Sequence, residues 1–213
     1  MNLGGFGLYK KIKQIFGKTY EPEKYWYKRG QTHILENESS FPKDELIQYL
    51  KTITFDSVLE FGCGWGKITK AILDNFNPSV YTAFDLSPHQ LYNAKQECRN
   101  YNVDFYLSTI LQFESERKFD LVIGVEVLLH VLPKDITNTI KNLLNFSKGY
   151  FIHADPQYQK QDNVHRIAHN FSHNYQQIYN EIPFVNYSLQ TMGPPVLHIV
   201  KLVQQNIITA KHD

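Results

Sequence analysis

A chain of 213 residues, 42% apolar and 20% charged, has the composition of an ordinary globular domain and enough length to enclose one substantial core. A formal net charge of +1 supplies no global attraction for nucleic acid or for an anionic membrane surface. Two cysteines, Cys63 and Cys98, exclude a disulfide framework and form no zinc-type pair, so a reducing, cytoplasmic setting is the simplest expectation.

The N-terminus lacks the apolar core of a secretory signal. Leu8 to Lys18 is basic and amphipathic, compatible with a membrane-surface helix or, more commonly, with a helix packed on the domain. Residues 1–50 read as helical, with Pro42 near a helix start. From Ser57 the pattern alternates. SVLEF is a buried strand, Lys67 to Phe76 a helix, and Val80 to Phe84 the next strand. Ser87 and Pro88 open a helix that runs to about Asn100.

Val103 to Leu107 and Phe119 to Gly124 are strands three and four, Pro133 to Phe146 a helix, and Tyr150 to Ala154 strand five. The apolar run Leu121 to Leu132 is too short to span a bilayer and carries Glu126 and His130, so no membrane insertion is expected. A long helix is expected from Asn163 to Ile182. Strands Phe184 to Met192 and Val196 to Val203, joined by Gly193-Pro194-Pro195, then form an antiparallel hairpin at the sheet edge. The expected fold is α/β: a three-layer, Rossmann-like sandwich around a mostly parallel seven-stranded sheet.

The loop after the first strand, EFGCGWGK, places glycines at 62, 64 and 66. Ligands of open α/β sheets sit beyond the carboxyl ends of the strands, so this loop is where one is expected. A dinucleotide loop requires its third glycine at the position of Lys67, and a Walker loop is absent. The spacing E-x-G-x-G-x-G resembles motif I of the class I S-adenosylmethionine-dependent methyltransferases. Asp85, ending YTAFD, falls where that family grips the ribose diol. Ser108 stands where many members carry an acid beside the adenine. FDLVIGVEVLLHVL resembles the segment after strand four, above all in members with a Val-Glu-x-Leu-x-His pattern such as the ubiquinone-pathway O-methyltransferases.

The resemblance implies S-adenosylmethionine as cofactor, held by Glu60, Gly62, Cys63, Gly64, Asp85, Leu86, Ser108, Thr109, Ile110 and Val125. It also implies an N-terminal helical lid within residues 1–50, over a core spanning 57–203. Arg29 of the lid suits the methionine carboxylate and Tyr25 the sulfonium, against the plainer reading of an amphipathic helix with a surface arginine. Members that use a metal have a second carboxylate where this chain has Leu129, so no metal site is expected.

Methyl transfer to oxygen or nitrogen needs alignment and a base. Candidates are His153 at the end of strand five, His130 and Glu126. His165, His169 and His173 recur every four residues, which on a helix makes one face. A straight helix separates the first and third by about 12 Å, so one ion cannot take both. With Asp155 and Arg166 they are instead expected in the acceptor pocket, within residues 155–183, the remaining alternative being a solvated helix face. The expected acceptor is a small polar metabolite or surface-carbohydrate precursor of a kind that includes phosphorylated or carboxylated molecules. Competing readings are a non-catalytic cofactor-binding subunit or regulator and an RNA or protein methyltransferase. Near-neutral charge weighs against nucleic acid as partner.

Overall fold

The computed structural model describes residues 20–31, 43–155, 169–183, 185–191 and 196–202. Helices α1 (Pro22–Arg29) and α2 (Lys43–Leu50) precede the sheet. Then come β1 (Ser57–Phe61), α3 (Lys67–Asn75), β2 (Val80–Asp85), α4 (Pro88–Glu97), β3 (Asp104–Leu107) and β4 (Phe119–Val125). A 3-10 turn (Leu128–His130), α5 (Ile136–Asn145), β5 (Ser147–Asp155), α6 (Tyr175–Asn180), β6 (Val185–Thr191) and β7 (Val196–Leu202) complete the order.

The seven strands lie in the order β3-β2-β1-β4-β5-β7-β6. β1 to β5 are parallel, with Leu59 opposite Thr82 on one side and Val122 on the other. Alternation along β1 divides the core into two layers. Val58 joins Leu46, Leu50, Ile68, Ile72 and Leu91 on one face, whereas Leu59 and Phe61 join Ile140, Leu143, Phe151 and Tyr179 on the other. Helix α5 shows why the sequence folds so: Ile136, Ile140, Leu143 and Leu144 recur at helical spacing and all are buried. Each such side chain contributes about 2 kcal/mol by leaving water.

Two sequence expectations are corrected here. The reversed strand is not at the edge: β7 lies between β5 and β6, antiparallel to both, and β6 is the outer strand. Its neighbours on both sides explain why His198, Ile199 and Val200 are buried. The long helix from Asn163 to Ile182 is also not formed across its described part. Residues 171–174 are irregular, and α6 begins at Tyr175, where Asn174 caps it by accepting from the Gln177 amide at 3.1 Å. An asparagine side chain that satisfies a helix's first amides favours starting the helix there over continuing through. Leu8 to Lys18, Pro42, the Gly193-Pro194-Pro195 joint and the residues before His169 lie outside the described residues.

Candidate active site

The carboxyl ends of β1, β2 and β4 open onto a cavity of about 1760 Å³. Its floor is the glycine loop. Gly62, Gly64 and Gly66 all have positive φ, at 63°, 55° and 88°, but their surroundings differ. A Cβ on Gly62 meets the Val127 side chain, and one on Gly66 lies 3.1 Å from Ala94 Cα on α4. A Cβ on Gly64 meets nothing within 4 Å and projects into open space. Gly64 keeps that space clear, and Gly66 lets two helices approach.

Asp85 ties this loop to the next. Its Oδ2 accepts from the Gly64 amide at 2.9 Å and its Oδ1 from the Ser87 amide at 2.8 Å. Burial raises its carboxyl, and the Ser87 and Gly64 amides oppose that rise. Two oxygens offer about four lone-pair sites, so the carboxylate retains capacity for a ligand's hydroxyls. Glu60 is 3% exposed, and its Oε2 accepts from Thr69 Oγ1 at 2.6 Å and the Tyr81 hydroxyl at 2.7 Å. Burial pushes its carboxyl up to about 7 despite those two donors. Burial also holds the Cys63 thiol well above its ordinary value, so Cys63 is an inert wall of the cavity.

Leu86, Ser108, Thr109 and Ile110 line the side reached from β2 and β3, and Val125 the side reached from β4. The Ser108 hydroxyl donates to the Thr109 carbonyl at 3.0 Å. Gln90, 2% exposed, also lines the cavity, and its Oε1 has no hydrogen-bond partner among the described residues. Sequence reasoning missed it. The signal was its place in the first turn of a helix opened by Ser87 and Pro88, directly after Asp85.

Helix α1 covers the opposite side, with Tyr25, Trp26 and Arg29 facing the cavity. Its C-terminal Gly30 packs so close to Ser87 that a Cβ would collide with the capping hydroxyl. Tyr25 and His169 meet in a tilted ring contact with centroids 4.4 Å apart, Trp26 meets His130 edge-on at 4.7 Å, and His130 stacks on His169 at 5.3 Å. His130 Nδ1–H donates to the His169 carbonyl at 3.0 Å, leaving Nε2 as the basic nitrogen of the neutral ring. Glu126 also lines the cavity, with φ of 56°, a left-handed value costing a non-glycine residue about 1 kcal/mol. Burial and the charge of Asp155 raise its carboxyl, and Lys67 lowers it.

The other sequence candidates lie elsewhere. His153 is wholly enclosed, with Nδ1 2.6 Å from Asp155 Oδ2 and Nε2 2.8 Å from the Tyr179 hydroxyl. Both ring nitrogens are engaged, which corrects the expectation of His153 as a base facing the acceptor. Asp155 is equally enclosed, so its expected contact with the acceptor is corrected too. His173 donates from Nε2 to the Leu128 carbonyl at 3.1 Å, and burial lowers its pKa. It is not among the residues lining the cavity. With residues 171–174 irregular, His169 and His173 share no helix face. His198, unremarked in the sequence, stacks on His153 at 4.4 Å, and burial drives its pKa down to about 3. His165 and Arg166 lie outside the described residues.

Residues 58–148 match a family model described as a methyltransferase domain. The chain is 36% identical over 67 residues to a malonyl-[acyl-carrier protein] O-methyltransferase of Acetivibrio thermocellus, covering 32% of this chain and 24% of that one. It is 29% identical over 126 residues to the ubiquinone biosynthesis O-methyltransferase of Rickettsia bellii, covering 56% of this chain and 52% of that protein. The chain thus spans about half or less of the length of these curated relatives. Among solved structures, N-methyltransferase NodS of Bradyrhizobium japonicum with S-adenosyl-L-homocysteine superposes with a TM-score of 0.66 at 18% identity. That match covers 84% of this chain and 98% of NodS, and it speaks to the fold. With the strand order and the three-glycine loop beside Asp85, the matched residues 58–148 form a methyltransferase domain similar to those of the class I S-adenosylmethionine-dependent methyltransferases.

Proposed function

We propose that the protein transfers the methyl group of S-adenosylmethionine to an oxygen or nitrogen of a small polar metabolite. The observation that carries this reading is the position of Glu126 and His130 on the cavity wall supplied by the segment after β4, beside the aromatic lid. The residues fit the cofactor. Gly64 leaves open the space a side chain would fill, Asp85 suits a ribose diol, and Gln90 holds a buried acceptor without a donor among the described residues. Glu60 suits an ammonium and Arg29 a carboxylate. S-adenosylmethionine supplies an electrophilic methyl on a positively charged sulfur.

The chain's own residues do the rest. The lid aromatics Tyr25 and Trp26 exclude water and present ring faces suited to a cation. His130 Nε2 or the Glu126 carboxylate takes the proton that the acceptor loses, and the strained backbone at Glu126 aims its side chain at the cavity. Lys67 on the wall, together with Arg166 and His165 outside the described residues, would meet a phosphate or carboxylate on the acceptor.

The test is transfer of labelled methyl from S-adenosylmethionine into fractionated cell extract. Label is expected in the small-molecule fraction, and a Glu126→Gln, His130→Ala double variant should abolish it. Label confined to protein or RNA refutes the proposal.

A further inference from the structure

Behind the cavity wall lies a buried polar cluster that the methyl-transfer reading leaves unused. Asp155 sits at its centre. Its Oδ2 accepts from His153 Nδ1–H at 2.6 Å and from the Tyr175 hydroxyl at 3.3 Å, while Tyr179 holds the far side of His153. Its Oδ1 faces the other way and accepts from the backbone N–H of Leu129 at 3.2 Å. Leu129 is the middle residue of the Leu128–His130 turn. The rest of that turn is tied to the same region: the Leu129 carbonyl accepts from the Phe171 amide, and the Glu126 amide donates to the Ala154 carbonyl, both at 2.7 Å.

We infer that Asp155 is a positioning residue for methyl transfer: its carboxylate bridges the His153–Tyr179 pair to the Leu128–His130 turn and thereby fixes where Glu126 and His130 meet the acceptor. The inference rests on the reading that those two side chains serve the acceptor. Burial opposes the charge on Asp155, but His153, His198 and the Leu129 amide together hold its carboxyl below the usual range. The bridge therefore carries a negative charge at neutral pH. That charge reaches Glu126, where it adds to burial in raising the carboxyl against Lys67 on the opposite side. Asp155 thus acts on the site twice, through a hydrogen bond that holds the turn and through its field.

The test is Asp155→Asn in the full chain, read by amide exchange at Leu129, by carbon-13 titration of the Glu126 carboxyl and by affinity for S-adenosylhomocysteine. Exchange at Leu129 is expected to rise about tenfold, as loss of one bond to a charged acceptor implies. The Glu126 midpoint should fall once the like charge is gone. Affinity for S-adenosylhomocysteine should stay within about twofold, because the substitution lies away from the glycine loop. A folded variant that keeps the Glu126 midpoint and the Leu129 exchange rate overturns the inference. If Asp155→Asn does not fold, Tyr179→Phe removes one hydroxyl and leaves these carboxylates and imidazoles in place. It should then raise Leu129 exchange about threefold, and an unchanged rate overturns the coupling. Failure of the functional reading looks different: full methyl turnover by the Glu126→Gln, His130→Ala double variant would remove the acceptor-side role, and with it the purpose of the bridge, while the Leu129 response stayed as stated.

Discussion

The Tyr25 hydroxyl lies 3.1 Å from His169 Nε2, joining two residues 144 positions apart across the mouth of the cavity. Their rings also meet in a tilted contact, so a polar and an aromatic contact both hold the lid at this point. Tyr25→Phe keeps the ring contact and removes the hydroxyl. A net loss of about 1 kcal/mol is expected for such a bond, seen as an approximately fivefold weaker grip on S-adenosylhomocysteine by calorimetry. An unaltered affinity would show that the lid contact does not contribute to cofactor retention.

Gly64 and Gly66 share positive φ but should fail in different ways. Alanine at either position costs about 1 kcal/mol in backbone strain. Gly66→Ala adds a tight 3.1 Å contact with the backbone of α4 at Ala94, worth a further 1–3 kcal/mol or so, and should lower the urea midpoint more. Gly64→Ala fills the open space above the loop and should weaken S-adenosylhomocysteine binding more than about tenfold. Measuring both quantities for both variants decides it, and equal binding losses would contradict the division of roles.

Asp85→Asn replaces one carboxylate oxygen with a donor that faces either the Gly64 or the Ser87 amide. A buried donor set against a donor costs about 1–3 kcal/mol. The variant should bind the cofactor product at least about tenfold more weakly and melt lower. Gln90→Leu should cost affinity with little loss of stability, since Oε1 has no partner among the described residues to lose.

Glu60 makes stability depend on pH with a defined sign. Its carboxyl is raised from 4.5 to about 7 in the folded protein, so its protonated form is the one the fold favours. That stabilisation is complete below pH 4.5 and is lost as pH rises towards 7. The free-energy difference between wild type and Glu60→Gln should therefore shift against the wild type by about 3 kcal/mol across that window. Cofactor binding should reverse the preference, because an ammonium favours the charged carboxylate. Calorimetry at pH 6.5 in buffers of different ionisation enthalpy should then show proton release on binding, and proton uptake would be inconsistent with Glu60 meeting the ammonium.

His130→Gln tests the base. Loss of a general base lowers turnover about 10² to 10⁴-fold, while affinity for the cofactor product should change little. Turnover that survives unaltered would leave Glu126 as the residue that accepts the proton.

The parallel sheet and the three-glycine loop after β1 were legible in the sequence because each is local. Alternation along SVLEF, three glycines at every second position and a serine-proline helix start act within a few residues of where they are read. The histidines were not legible in the same way. His153 lies near the carboxyl end of β5 and His130 in the turn that follows β4, yet one is sealed behind Tyr179 and His198 and the other faces the cavity. That difference arises because β7 inserts beside β5 and covers His153, a pairing between residues 45 positions apart that periodicity does not record. The four-residue histidine spacing misled for a related reason: Asn174 caps a new helix, and only the tertiary contacts at Leu128 and Leu129 set the path of the residues before it. Sequence alone thus determined which cofactor the chain is built for. The folded structure decided which of its polar groups face the cavity and which, like Asp155, are enclosed behind its wall.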